Sequence, residues 1–198
     1  FRVVHPPRFS MPNDERIPIV MIAGGTGFAP FRSFIQERSR QSQPGETWLF
    51  FGTRTRTDLY YQDELARIIS QGRLNLRIAF SRDDARYKQV DGDQLVFETG
   101  ENHSIGDEIL KEENAQALWN LLQSRENCGL GAYFYVCGRT GFATAVMDAI
   151  KNVIHRYSSG SEEEKLAAAK ATFYELVGKG RYLQDIFTTY TGSHLDGQ

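Results

Sequence analysis

Four short apolar runs limit what this chain can become: "IPIVMIA" (17–23), "TWLFFG" (47–52), "LNLRIAF" (74–80) and "AYFYVC" (132–137). Each is rich in β-branched or aromatic residues and ends in Gly or small polar residues, which is the pattern of a strand buried on both faces. Between them the apolar period changes to that of a helix. Residues 30–40 put Phe31, Phe34 and Ile35 on one face, and residues 60–70 do so with Leu65, Ile68 and Ile69. Residues 112–122 align Leu118, Leu121 and Leu122, and residues 140–154 align Val146, Ile150 and Val153. This alternation predicts an α/β fold, a doubly wound parallel sheet of about five strands with helices on both faces. Such sheets bind ligands beyond the carboxyl ends of their strands. The places to look are therefore just after Ala23, Gly52, Phe80 and Cys137.

Two stretches break the alternation. Residues 83–112 are polar and mixed, with "DGDQLVFETGEN" reading as a small hairpin or an irregular insertion. "SSGSEEEK" then leads into an Ala-rich helix whose Glu cluster suits its N-terminus and whose Gly178 or Gly180 suits its C-cap. The opening "FRVVHPPRFSMP" sustains neither period and reads as a connector.

Composition narrows the classes. With 40% apolar and 24% charged residues the chain is an ordinary globular one. A formal charge of −2 argues against a nucleic-acid surface. No apolar run reaches the ~18 residues of a membrane span, and no signal-peptide pattern is visible. Cys128 and Cys137, with four scattered His, form no metal-ligand cluster. A reducing compartment follows as the expectation: cytoplasmic, or the cytosolic face of a membrane.

The strand ends carry the candidate chemistry. After the first run, Gly25-Thr26-Gly27 permits a tight bend, Pro30 suits the first turn of a helix, and the helix start offers free N–H groups to an anion. This is either a pyrophosphate seat or a tight turn that needs small residues. Pro30 stands where the dinucleotide fingerprint has its third glycine. After the third run, Ser81 and Arg82 are either a phosphate grip or a polar loop, with Arg86, Tyr87 and Lys88 following. Cys137 closes the fourth run before Gly138, and a lone Cys there reads as a core residue rather than a nucleophile. In "GRYLQDIFTTY", Asp185 and Phe187 would point to one side of an extended segment. That pair gains meaning only if the segment lies at the sheet edge beside Cys137.

Taken in order, these segments resemble the NADP-binding half of the ferredoxin–NADP reductase superfamily, in particular its diflavin branch. That branch comprises NADPH–cytochrome reductases, sulfite reductase flavoprotein subunits and nitric oxide synthase reductase domains. "GGTGFAPFRSFIQER" resembles the family's G-x-G-T-G-[IF]-A-P-F-R-x-F pattern, and "FFGTRTRTDLYYQDEL" its F-G-x-R…D-x-L-Y-x-x-E-L segment. "AFSRD", "LW", "YVCG" and "RYLQDIF" follow in the family's order.

The resemblance implies roles. Gly25, Thr26 and Gly27 would hold the pyrophosphate with Arg54 nearby, while Ser81 and Arg82 would take the 2′-phosphate of NADP(H). Cys137, with Gly138 allowing close approach, would lie against the nicotinamide. Asp185 would favour the positive charge that grows on that ring as hydride leaves, and Phe187 would stack on the flavin. In place of the family's K-x-Y-x-Q after Ser-Arg stands the insertion, so Arg86 and Lys88 would substitute in the phosphate pocket. Arg139 stands where an acidic residue is common.

The implied organisation is a linker (1–16) from an FAD-binding domain, a NAD(P)-binding domain (17–190) and a polar tail (191–198). The implied function is hydride transfer from NADPH to FAD, with onward transfer through FMN, a flavodoxin-like domain, a haem or an iron–sulfur protein. The alternatives are a single-flavin reductase domain using NADH, serving a ferredoxin or a haem protein, and a non-catalytic nucleotide-sensing module.

Overall fold

The computed structural model describes residues 9–188. Its strands are β1 (Ile19–Gly24), β2 (Thr47–Thr53), β3 (Asn75–Phe80), β4 (Ala85–Asp91), β5 (Gln94–Thr99), β6 (Tyr133–Arg139) and β7 (Tyr182–Phe187). Its helices are α1 (Ala29–Arg40), α2 (Gln62–Ser70), α3 (Ile105–Leu110), α4 (Glu112–Leu122), α5 (Thr140–Tyr157) and α6 (Glu162–Gly178).

Five strands form one sheet in the order β3-β2-β1-β6-β7, and every neighbouring pair is parallel. The strand order reverses at β1, so the chain is doubly wound as the alternation predicts. Period-two geometry then sorts the side chains into two layers. Val20 and Ile22 of β1, Trp48 and Phe50 of β2, and Phe134 and Val136 of β6 face α3, α4, α5 and α6. Ile19, Met21 and Ala23, with Leu49, Phe51, Tyr135 and Cys137, face α1, α2 and the hairpin. A slip of one residue would exchange the two sets, so the register is strongly specified.

The interruption at 83–112 resolves into an antiparallel hairpin, β4–β5, followed by α3. Gly92, at φ +57°, makes the tight turn between Asp91 and Gln94. Helix α3 is six residues long, too short to display a period, yet it carries a capping box between Ser104 and Asp107. The same device opens α6, with Ser161 and Glu164, and Gly180 at φ +67° ends it.

Part of the predicted linker is ordered against the sheet. Phe9 packs edge-on to Tyr135 at 5.5 Å, and the Tyr135 hydroxyl donates to the Ser10 carbonyl at 2.8 Å. The N-terminal residues 1–8 and the polar tail 191–198 lie outside the described residues. No helix among the described residues is long and apolar enough to cross a membrane.

Arg181 joins three elements just before β7. It is buried, and its guanidinium donates to the carbonyls of Ala132 (3.0 Å), Leu121 (3.3 Å) and Leu122 (2.9 Å). Two of these carbonyls end α4 and the third precedes β6. Arg181→Met keeps the length of the stem but leaves all three without this donor. Chemical denaturation should show a loss of about 2–4 kcal/mol.

Candidate functional site

A cleft of about 530 Å³ opens at the carboxyl ends of the strands. Its walls come from Gly24–Thr26 after β1, Gly52–Arg54 after β2, Ser81 after β3, Arg139 and Phe142 after β6, and Phe187 of β7. His103, Ser104 and Ile105, at the start of α3, close one side. The volume falls in the range of sites for small organic ligands.

The first turn is a 3-10 turn, Gly25–Phe28, and its two glycines do different work. Gly25 has φ +53° and a Cβ there would meet nothing, so its requirement is conformational. Gly27 is a packing glycine: a Cβ there would stand 2.2 Å from the Cys137 carbonyl oxygen. Pro30 sits in the first turn of α1, where its missing N–H costs no hydrogen bond. Phe28 anchors the turn by stacking on Phe51 at 5.2 Å.

Phe142 forms the floor. A Cβ on Gly24, Gly52 or Gly138 would lie 2.8, 3.0 or 2.7 Å from its ring. Glycine at three neighbouring strand ends thus makes room for one aromatic ring. Gly138 itself lies beneath the cleft, against that ring.

The electrostatics favour an anion. Arg54 and Arg139 are exposed in the walls, and neither side chain has an ion pair among the described residues. Asp58 is the one carboxylate among the lining residues, and it accepts from the Thr55 hydroxyl at 3.0 Å. Arg56 is held by Asp83 at 2.9 Å, and its backbone N–H is the main reason the Asp83 carboxyl is held below the usual range. The ends of β2 and β3 are laced together by Ser81 N–H to Thr53 O (3.0 Å) and Arg82 N–H to Arg54 O (2.9 Å). Ser81 and Arg54 are thereby set side by side.

Of the residues singled out in the sequence, Gly25, Thr26, Arg54, Ser81 and Phe187 line the cleft. Arg82 is exposed beyond its rim. Arg86 and Lys88 are placed elsewhere: on the hairpin both pair with Glu98, Lys88 at 3.5 Å. Cross-strand register puts Arg86 opposite Glu98, a pairing hidden in the linear sequence. Cys137 is buried behind the wall, and burial, then the charge of Asp185, pushes its thiol up to about 11. It is a packed thiol, not a thiolate. Strand β7 does lie at the sheet edge beside β6, with Asp185 directly opposite Cys137. His103, Ser104 and Phe142 were not singled out. The Ser104-x-x-Asp107 box was the available signal for the first two, and Phe142 had none, since its role needs three strand ends to converge.

The family described as "Oxidoreductase NAD-binding domain" matches residues 21–148. The chain belongs to this family. Among curated proteins it is 36% identical over 188 residues to the sulfite reductase [NADPH] flavoprotein alpha-component of Aliivibrio fischeri (strain ATCC 700601 / ES114), covering 93% of this chain and 27% of that protein. The same component from Vibrio cholerae serotype O1 (El Tor Inaba N16961) is 36% identical, with 93% and 26% covered. That of Shewanella sp. (strain MR-4) is 35% identical over 182 residues, with 90% and 26% covered. The chain therefore spans about a quarter of the length of these relatives. The matched residues include the ends of β1, β2, β3 and β6, where the cleft opens.

The packing role of Gly27 has a direct test. Gly27→Ala must displace the turn or β6 and should cost about 2–4 kcal/mol in denaturation. Gly141→Ala, where a Cβ meets nothing, should change stability by less than about 1 kcal/mol.

Proposed function

We propose that this chain is the nicotinamide nucleotide-binding part of a flavin-dependent reductase of the sulfite reductase flavoprotein type. The observation that carries the reading is one cleft with two arginines, Arg54 and Arg139, that have no ion pair among the described residues, bounded by Ser81 at one end and Phe187 at the other. A dinucleotide laid along it would put its pyrophosphate at Gly25, Thr26 and Arg54, and a 2′-phosphate at Ser81, with Arg82 reaching in from the rim. Its nicotinamide would lie toward β6 and β7.

NADPH bound here would supply the hydride, with FAD held by a domain of the same polypeptide as its acceptor and FMN in a flavodoxin-like domain, a haem or an iron–sulfur protein as the onward acceptor. This chain's residues supply position and field. The glycines let backbone approach the phosphates, and the arginines balance their charge without taking part in covalent chemistry. Cys137, kept a neutral thiol and packed under the turn, offers an apolar contact rather than a nucleophile. The exposed Asp185 carboxylate places negative charge beside the spot where a nicotinamide becomes cationic. Phe187 gives a flat aromatic face at the mouth. Retention of both Cys137 and Asp185 favours a reductase over a sensor, which needs neither.

Calorimetry on this chain should show NADP⁺ binding at least about tenfold more tightly than NAD⁺, with Arg54→Ala weakening both about tenfold. Equal affinities for the two nucleotides, unchanged by Arg82→Ala, would sink the phosphate assignment. In the full-length flavoprotein, Asp185→Asn should slow stopped-flow flavin reduction about tenfold or more while changing nucleotide affinity only about twofold. An unchanged reduction rate would remove Asp185 from the reaction.

A further inference from the structure

Behind the Ser81 end of the cleft lies a polar cluster that the roles above leave unused. Glu108, in α3, is buried at 4% exposure. One of its oxygens accepts from His103 Nε2 at 2.6 Å and Lys111 Nζ at 2.5 Å, and the other accepts from Asn114 Nδ2 at 2.9 Å. Asn114, fully buried, in turn accepts from Arg77 Nε at 2.6 Å. His103 is tied to the site by its backbone, whose N–H donates to the Phe80 carbonyl at 2.9 Å. The ring thus lines the cleft next to the end of β3 and Ser81.

The protonation of this ring follows from what surrounds it. Nε2 faces the Glu108 carboxylate, and Nδ1 lies 3.0 Å from the Glu101 carbonyl oxygen. Both neighbours are acceptors, so the imidazolium is the form of the ring that can donate to both at once. Lys111 Nζ, 3.4 Å from Nε2, is the farther neighbour and is engaged by the same carboxylate. With the ring protonated, two cations stand against one carboxylate and the His103–Glu108–Lys111 cluster is net positive; with the ring neutral its charge is zero. Other charges facing the cluster are Asp107, engaged in the capping box with Ser104, Arg77 behind Asn114, Arg86 on the hairpin, which feels the Glu108 charge, and Arg54 and Asp58 across the cleft.

We infer that His103 is the charge that reads a phosphomonoester at the Ser81 end of the cleft, and that it makes the preference for 2′-phosphorylated adenosine nucleotides depend on pH. The inference rests on the nucleotide-binding reading above. Of the other cations near this end in sequence, Arg82 is exposed at the rim, and Arg86 and Lys88 are paired with Glu98. A monoester carries about −1.5 to −2 at neutral pH, so it gains more from a fixed positive charge than a free hydroxyl does. Because both ring N–H groups are committed, His103 acts through its charge. The Ser81 hydroxyl, held only by a 3.4 Å contact to Thr53 O, is left to donate the hydrogen bond. His103 is therefore a specificity residue acting beside the ligand, and its own proton is the variable.

The test uses the full 198-residue chain and two probes, adenosine 2′,5′-bisphosphate and 5′-AMP, titrated calorimetrically across the range in which histidine changes charge, about pH 5.5 to 8.5. Wild type should bind the bisphosphate about five- to tenfold more tightly than His103→Gln at the acid end, and the ratio should fall toward one at the alkaline end. Taking that ratio cancels the phosphate's own ionisation near pH ~6. For 5′-AMP the ratio should stay within about twofold throughout. His103→Lys should bind the bisphosphate tightly at both ends. Glu108→Gln, which keeps an acceptor for the Nε2 proton but removes the negative charge beside it, should move the fall in affinity to lower pH, and these two variants carry the test if His103→Gln does not fold. Equal loss of both probes in His103→Gln, or a bisphosphate ratio of one at the acid end, overturns the role of His103 while leaving the nucleotide reading intact. A wild-type chain that binds neither probe overturns that reading and this inference with it.

Discussion

Strand β1 is paired on both edges and covered on both faces, and the rest of the molecule follows from that. β2 and β6 take its backbone donors and acceptors, and every side chain from Ile19 to Ala23 is fully buried. Ile19, Val20, Met21 and Ile22, buried, each contribute on the order of 1.5–3 kcal/mol, Ala23 less, and none is polar. A strand so placed leaves no polar position along its length. Chemistry is displaced to where the strand stops, and neighbouring parallel strands stop together. The cleft is thus a product of the sheet's direction, and its contents are whatever the successive strand ends carry.

That geometry explains why much of the fold was legible in the sequence. The run at 47–52 became a strand covered on both faces, while the run at 74–80 lies at the sheet edge, where Arg77 is accommodated over Trp48 and donates to Asn114. The first strand starts two residues later than its run, at Ile19, since Pro18 has no N–H to offer a ladder. The helix in 112–122 was visible through its period, whereas α3 was not, because six residues complete fewer than two turns. The hairpin left open between two readings was settled by a left-handed glycine at its tip.

The site was legible only in outline. Gly-Thr-Gly stands at the end of β1, where the cleft opens, but one motif conceals two demands: Gly25 for its backbone angle and Gly27 for the proximity of β6. Sequence cannot separate them, because the second depends on a strand more than a hundred residues away. The basic residues after Ser81 were misleading for a similar reason. Charge near a site in sequence counts only if nothing else claims it, and Glu98 claims both Arg86 and Lys88. His103, which lines the cleft with Ser81, sits past the hairpin and is held by a buried carboxylate five residues further on.

The burial of β7 is uneven along its length. Arg181 and Tyr182 are buried at its start, Tyr182 against Phe173 at 4.8 Å, while Gln184, Asp185 and Ile186 are exposed. The strand is held by one neighbour and anchored at one end. Its far end, which carries Asp185 and Phe187, is less covered than any part of β1. The cleft thus has two walls of different cover: a closely packed one at the ends of β1 and β2, where phosphates would be gripped, and an open one on β7, where a ring would enter and leave.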